Sequence, residues 1–198
     1  CADTFRVEKT QGSRMSNGGG VVRMVHDPLI DPPAKDIKEW ETSRVIISYN
    51  HRPNTPNPLE DFCEDMLMMC VYTGAMMYPE ANIDAIEKYF IKRGYSGYLL
   101  YDTDWKTQRA KAYAGFYSTI DNKKKIFTLT ANDIAVHGHR NRHIDILQEC
   151  MSIKSLDDMT RFDVFTANGG TLLAEENIYN QPIEEETDST DFLPMRAY

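Results

Sequence analysis

Three carboxylates, Asp3, Glu80 and Asp163, are the residues of this chain best placed to do chemistry together. Asp3 lies in a strand-like stretch, "ADTFRVE", Glu80 closes the short apolar run "AMMYPE", and Asp163 sits in the late segment "DDMTRFDVFTANGGTLLA". Carboxylate oxygens suit hard divalent cations, and two such cations about 4 Å apart stabilise both the attacking and the leaving oxygen of a phosphodiester. Acids so far apart in sequence converge only if a sheet brings them together. The elements that could build that sheet therefore matter most.

The periodicity supplies them. Residues 2–8, 17–28 and 43–53 read as three strands, the second starting in a glycine-rich hairpin turn, "SNGGG", and the third closed by Pro53. Joined by short or polar loops, they form an antiparallel meander. Asn57, Pro58 and Glu60 fit an N-cap, a first-turn proline and a capping-box glutamate for a helix over 58–74. A short strand at 75–80, a helix stopped by Gly94 and a buried strand at 97–102 make a βαβ unit. From 104 to about 120 the pattern reads as helix, "DNKKK" as a basic turn and 126–130 as strand or loop. A long helix with a stripe of Ile144, Leu147 and Met151 follows, then a last helix over 157–174. Residues 1–174 make one domain, and 175–198 read as an acidic flexible tail or docking peptide.

Three antiparallel strands, a helix, and two further strands alternating with helices is the order of a ribonuclease H-like α/β fold. "YPEANIDAIEKYFIKRGY" resembles the central motif of the nuclease domain of tailed-phage terminase large subunits, and residues 157–174 resemble that family's C-terminal motif. "CADTF" would be the tail of its first catalytic strand. The last motif often carries two adjacent acids, where this chain has Phe162-Asp163. The resemblance implies a Mg²⁺- or Mn²⁺-dependent endonuclease cutting double-stranded DNA, with Asp3, Glu80 and Asp163 as metal ligands. It also implies an ATPase domain elsewhere in a longer chain, a viral portal and a small terminase subunit as partners, and the cytoplasm of an infected host cell as the setting. A resolvase or transposase-type nuclease of the same fold, and a non-catalytic portal-docking module, are the alternatives.

Further residues gather around this reading. Asn82 either caps the helix that follows or, as the motif implies, supports the metal site; Asp102 is a reserve ligand, and Asp104 an N-cap. Asn168-Gly169-Gly170 either ends its helix or lets it approach the sheet closely. Net charge is −8, yet residues 88–143 carry eleven Lys or Arg against four acids, a local basic surface despite the acidic whole. Lys106, Arg109, Lys111, Lys123, Lys124, Lys125, Arg140 and Arg142 are the candidates for DNA phosphate contact, with a solvated charged face as the alternative. His139 and His143 stand one helical turn apart, but a structural zinc site wants four ligands and no cysteine pair is near. Cys63 and Cys70, two turns apart at about 10 Å, are too distant to bridge, and all four cysteines read as reduced thiols in a cytosolic protein. No apolar run reaches the ~20 residues of a membrane span.

Overall fold

The computed structural model describes residues 1–5, 17–24, 44–104, 107 and 109–179. It is a mixed α/β structure. Strands β1 (Ala2–Asp3), β2 (Gly18–Met24) and β3 (Arg44–His51) pair antiparallel in the order β1-β2-β3, as the meander predicts. The remaining parts of the three predicted strands, 6–8, 25–28 and 43, lie outside the described residues. On its other side β1 meets the 77–80 run through a parallel bridge from Ala2 to Pro79. That run in turn bridges Leu99 from Met77 and Phe116 from Glu80, both parallel. The backbone of Glu80 therefore hangs directly on the first strand, its N–H donating to the Ala2 carbonyl at 2.9 Å.

Helices cover both faces. Helix α1 (Pro58–Thr73) begins at the expected proline and ends at Gly74 in the left-handed region, φ 73°. Helix α2 (Ala85–Arg93) ends the same way at Gly94. Phe62, Met66, Leu67 and Cys70 of α1 and Ile86 and Phe90 of α2 bury one apolar cluster with Phe5 and Leu99. Helices α3 (Ile120–His137), α4 (Ile144–Ser152) and α5 (Asp163–Tyr179) build the opposite layer. There Ile126, Phe116, Phe165 and Leu173 form a second cluster, and Val21, Ile146 and Val164 a third.

The glycines of "SNGGG" form no hairpin turn. Gly18 to Gly20 are the first residues of β2 and are buried between the layers. A Cβ on Gly18 or Gly20 would run into Phe62 or Met66 of α1, and one on Gly19 into the backbone carbonyl of Asp163. Alternating pleat directions explain the pattern, since successive strand positions face opposite layers. The run is glycine because two helices approach the same strand from both sides.

The central region differs most from its periodicity. No helix occupies the described part of 104–119; a two-stranded hairpin of β4 (Thr103–Asp104) and β5 (Arg109–Ala110) stands there instead. Asp104 accepts from the Thr107 N–H at 3.1 Å, a turn-type bond and not a helix cap. Residues 112–115 are bends; Gly115 has φ 79° and its N–H donates to the Leu100 carbonyl at 2.9 Å just before Phe116 bridges Glu80. The following helix starts at Thr119, whose Oγ1 caps the Asn122 N–H at 3.2 Å. "DNKKK" and 126–130, read as a turn and as strand or loop, are the first turns of α3. Lysine is a good helix former, and Ile126 and Thr130 lie one turn apart on the buried side.

The stripe Ile144, Leu147, Met151 also fails: Ile144 and Met151 are 66% and 86% exposed, whereas Ile146 is fully buried. The last helical segment divides into a 3-10 turn over Leu156–Arg161 and α5, so Asp163 opens a helix instead of lying within one. Gly169 and Gly170 continue that helix through to Tyr179. Gly169 lies against Ile126 and Thr130 of α3, and Gly170 against Cys1 and Phe116, which decides for close approach over termination. Helix α5 thus crosses the predicted boundary at 174, and residues 180–198 of the tail lie outside the described residues. All four cysteines are free thiols. Among the described residues no helix is long and apolar enough to cross a membrane.

A buried ionic clamp fastens α3 and α5 to the sheet. The Arg23 guanidinium, from β2, donates to both Asp133 oxygens on α3 at 2.9 and 3.3 Å, to Asn168 Oδ1 at 3.0 Å and to Thr171 Oγ1 at 3.2 Å.

Candidate carboxylate site

Asp3 ends β1, Glu80 ends the run bridged to it, and Asp163 opens α5. All three line one cleft of about 230 Å³, with Thr4, Asn82, Ser118, Lys123, Met159 and Thr166. The sheet brings the first two together through the Ala2–Pro79 bridge, and Gly19 lets the N-terminus of α5 come against β2 beside them. A volume of this size suits a phosphodiester with its ions, below the roughly 300–1,000 Å³ of small-molecule pockets.

The electrostatics show how crowded the acids are. Asp3 is held well above the usual carboxylate range, first by burial, then by a side-chain hydrogen bond with Glu80, then by the charges of Glu80, Asp163 and Glu149. Burial and the neighbouring acids favour the neutral form of the Asp3 carboxyl. Carboxylates this close cannot all ionise in the absence of a counter-charge, so they share a proton, and a divalent cation is the natural replacement for it. Among the described residues no group of three His, Cys, Asp or Glu side chains is already gathered as a cation would gather it. By donor chemistry alone, an all-carboxylate set suits Mg²⁺ or Mn²⁺.

Asn82 does not cap α2, whose N-cap position is Asp84. Its Oδ1 instead accepts from the Ser118 N–H at 2.8 Å, tying the entry of α3 to the segment after Glu80. Both ends of that bond line the cleft.

Asp102 lies away from the acids, in a cluster of its own. It is buried, accepts from Tyr78 Oη and Lys111 Nζ, each at 2.9 Å, and Asn177 Nδ2 stands 3.4 Å from it. Asp102 is thus engaged in an ion pair with the partly exposed Lys111 and does not line the cleft of the three acids. The same pair removes Lys111 from the list of free basic groups, and Lys125 pairs with Glu176 of α5 at 3.1 Å. Lys123 faces the cleft, while Lys124, Arg109, Arg140 and Arg142 are exposed. Lys106 lies outside the described residues. His143 is engaged in the fold, with Nδ1 3.0 Å from Ser48 Oγ and Nε2 3.2 Å from the Val45 carbonyl.

Protein-family models, curated proteins and solved structures were compared with the chain, and none matches it. The geometry therefore stands alone.

One participant escapes the sequence reading. Glu149, on α4, is a half-buried acid whose Oε2 accepts from the Phe165 N–H at 2.7 Å, and its carboxyl is pushed up to about 7, chiefly by burial. The signal was present in the spacing. Glu149 and Cys150 lie one turn on from the buried Ile146 and are half-buried on the same side of α4, and an acid on that inward side is the anomaly to notice.

Proposed function

We propose that this chain is a divalent-metal-dependent endonuclease of double-stranded DNA, built on a ribonuclease H-like domain similar to the nuclease domain of tailed-phage terminase large subunits. The observation that carries the reading is the meeting of Asp3, Glu80 and Asp163 in one cleft with Lys123 at its side. The strand order, with the 77–80 run parallel to β1 on the side away from β2, supports the fold assignment.

Asp3, Glu80 and Asp163 would hold Mg²⁺ or Mn²⁺. The bound ions supply an activated water and charge stabilisation at the phosphate oxygens. The chain's own residues do the rest. Asp3 must release the proton it shares with Glu80 before both carboxylates can act as ligands, so acid pH opposes the reaction. Lys123, at the first turns of α3, neutralises a phosphate oxygen at the cleft, and Asn82 fixes that helix start by its bond to Ser118.

Helix α3 separates the basic groups into two sets. Its 18 residues span about 27 Å, with Lys123 and Lys124 near one end and Arg140 and Arg142 beyond the other. At 3.4 Å per base pair, the two sets meet phosphates most of a helical turn apart. Contacts of this kind hold the backbone without reading sequence.

Plasmid DNA incubated with the protein and Mn²⁺ should be nicked or linearised, while Glu80→Gln and Asp163→Asn should abolish cleavage with folding intact. Retained cleavage in both variants, or none by the wild-type protein at high concentration, would reject the assignment and leave a non-catalytic docking module as the better account.

A further inference from the structure

Buried polar side chains ordinarily find a hydrogen-bond partner, and the wall of the cleft holds one that does not. Thr4 follows Asp3 at the end of β1, is only 6% exposed and lines the cleft, yet nothing bonds to its Oγ1. Two other polar residues of the same lining show the usual outcome. Thr166 Oγ1 donates to the Phe162 carbonyl at 3.1 Å, and Asn82 Oδ1 accepts from the Ser118 N–H at 2.8 Å. Packing gives no reason for the Thr4 hydroxyl. Valine has the same β-branched shape, suits the end of a strand equally well and would bury no unsatisfied group. A lone buried hydroxyl destabilises the fold, and in the wall of a cleft the group that relieves it is a ligand.

We infer that Thr4 is a substrate-contacting residue: its hydroxyl donates a hydrogen bond to a non-bridging phosphate oxygen of DNA held in the cleft. This deepens the nuclease reading above and rests on it. A threonine hydroxyl has one proton to donate, and a bond to an anionic oxygen is shorter and stronger than one between neutral groups. Lys123, lining the same cleft, is a point charge on a flexible stem and attracts a phosphate without fixing its direction. Thr4 has a short, stiff side chain on backbone that continues from Asp3, itself paired with Gly19 of β2. It therefore adds orientation to the charge that Lys123 supplies.

Thr4→Val removes the hydroxyl at constant shape, and Thr4→Ser keeps it. Three readouts follow each variant of the full chain: plasmid cleavage in Mn²⁺, anisotropy of a fluorescein-labelled DNA duplex in Ca²⁺, and a thermal melt without DNA. Loss of a hydrogen bond to a charged group commonly costs about 10–100-fold, so Thr4→Val should lose at least tenfold in kcat/KM and in duplex affinity, while Thr4→Ser stays within about fivefold of wild type. The valine variant should melt at or above the wild-type temperature, because the buried hydroxyl has no protein partner to lose. If the wild-type protein binds the duplex without cutting it, the affinities alone decide. A valine variant that melts lower, or that binds and cleaves like wild type, or a serine variant as weak as valine, would overturn the inference with the nuclease reading intact. A wild-type protein that neither cleaves nor binds DNA would reject both.

Discussion

Arg23→Met is the perturbation that most directly tests how the layer of α3 and α5 is held to the sheet. The guanidinium is almost fully buried, its side chain 3% exposed, and Asp133 opposite it 12% exposed. Methionine fills similar space but leaves the Asp133 carboxylate buried with no counter-charge and the Asn168 and Thr171 acceptors without their donor. Removing one partner of a buried pair costs about 3–5 kcal/mol, most of it from the stranded charge. With ~4 kcal/mol as the central figure and about 2–4 °C per kcal/mol for a chain of this size, the melting temperature should fall roughly 8–16 °C. Arg23→Met combined with Asp133→Leu removes both charges, and a well-packed apolar pair is often neutral against the ion pair it replaces. The double variant should regain at least half of the loss. Circular dichroism melts at neutral pH measure both. A drop under about 3 °C for the single variant, or a double variant no more stable than the single one, would refute the reasoning that a stranded buried charge dominates.

Other perturbations separate the parts of the site. Gly19→Ala should push the start of α5 away from β2, costing about 1–3 kcal/mol and lowering cleavage by about 100-fold, since small misplacements at a site are expensive. Gly97→Ala, where a Cβ meets nothing within 4 Å, is the control that should leave both melting temperature and cleavage unchanged. The metal-free protein should lose stability as pH rises from about 5 to 8. Asp3 and Glu149 have raised folded-state values, the latter about 7 against an ordinary 4.5, so the folded state binds more protons in that window. Melts in chelator at pH 5.5 and 7.5 should show it, and saturating Mn²⁺ should flatten the difference. Lys123→Ala and Lys124→Ala should each weaken DNA binding and reduce the salt slope by about 1, whereas Lys125→Ala, already paired with Glu176, should change it less, as fluorescence anisotropy against KCl would report.

The sequence displays the meander, α1 and α2 well because each has its own punctuation: β-branched runs, Pro58 in the first turn of α1, although Asn57 before it makes no side-chain capping bond, and Gly74 and Gly94 as left-handed stops. Convergence of Asp3, Glu80 and Asp163 was legible only through the order of elements. The region from 104 to 137 was not, because its turn depends on Gly115 and on the Thr119 cap, both weak local signals, while three consecutive lysines resemble a solvated turn. The glycine run at 18–20 looked like a turn because its cause, helices on both faces, is tertiary. Glu149 was missed for a related reason. Choosing the Ile144–Met151 stripe of α4 placed it on the solvent side, whereas Ile146 marks the buried one. Asp102, by contrast, looked like a ligand by position and proved to be committed to Tyr78 and Lys111.

Binding of a divalent cation by the three acids is the decisive property of the cleft. Crystals soaked in Mn²⁺ and measured at the manganese absorption edge should show an anomalous peak bounded by Asp3, Glu80 and Asp163, with the Asp3–Glu80 hydrogen bond replaced by oxygen–metal contacts. A soak that leaves the cleft without a peak while Asp3 still bonds to Glu80 would contradict it.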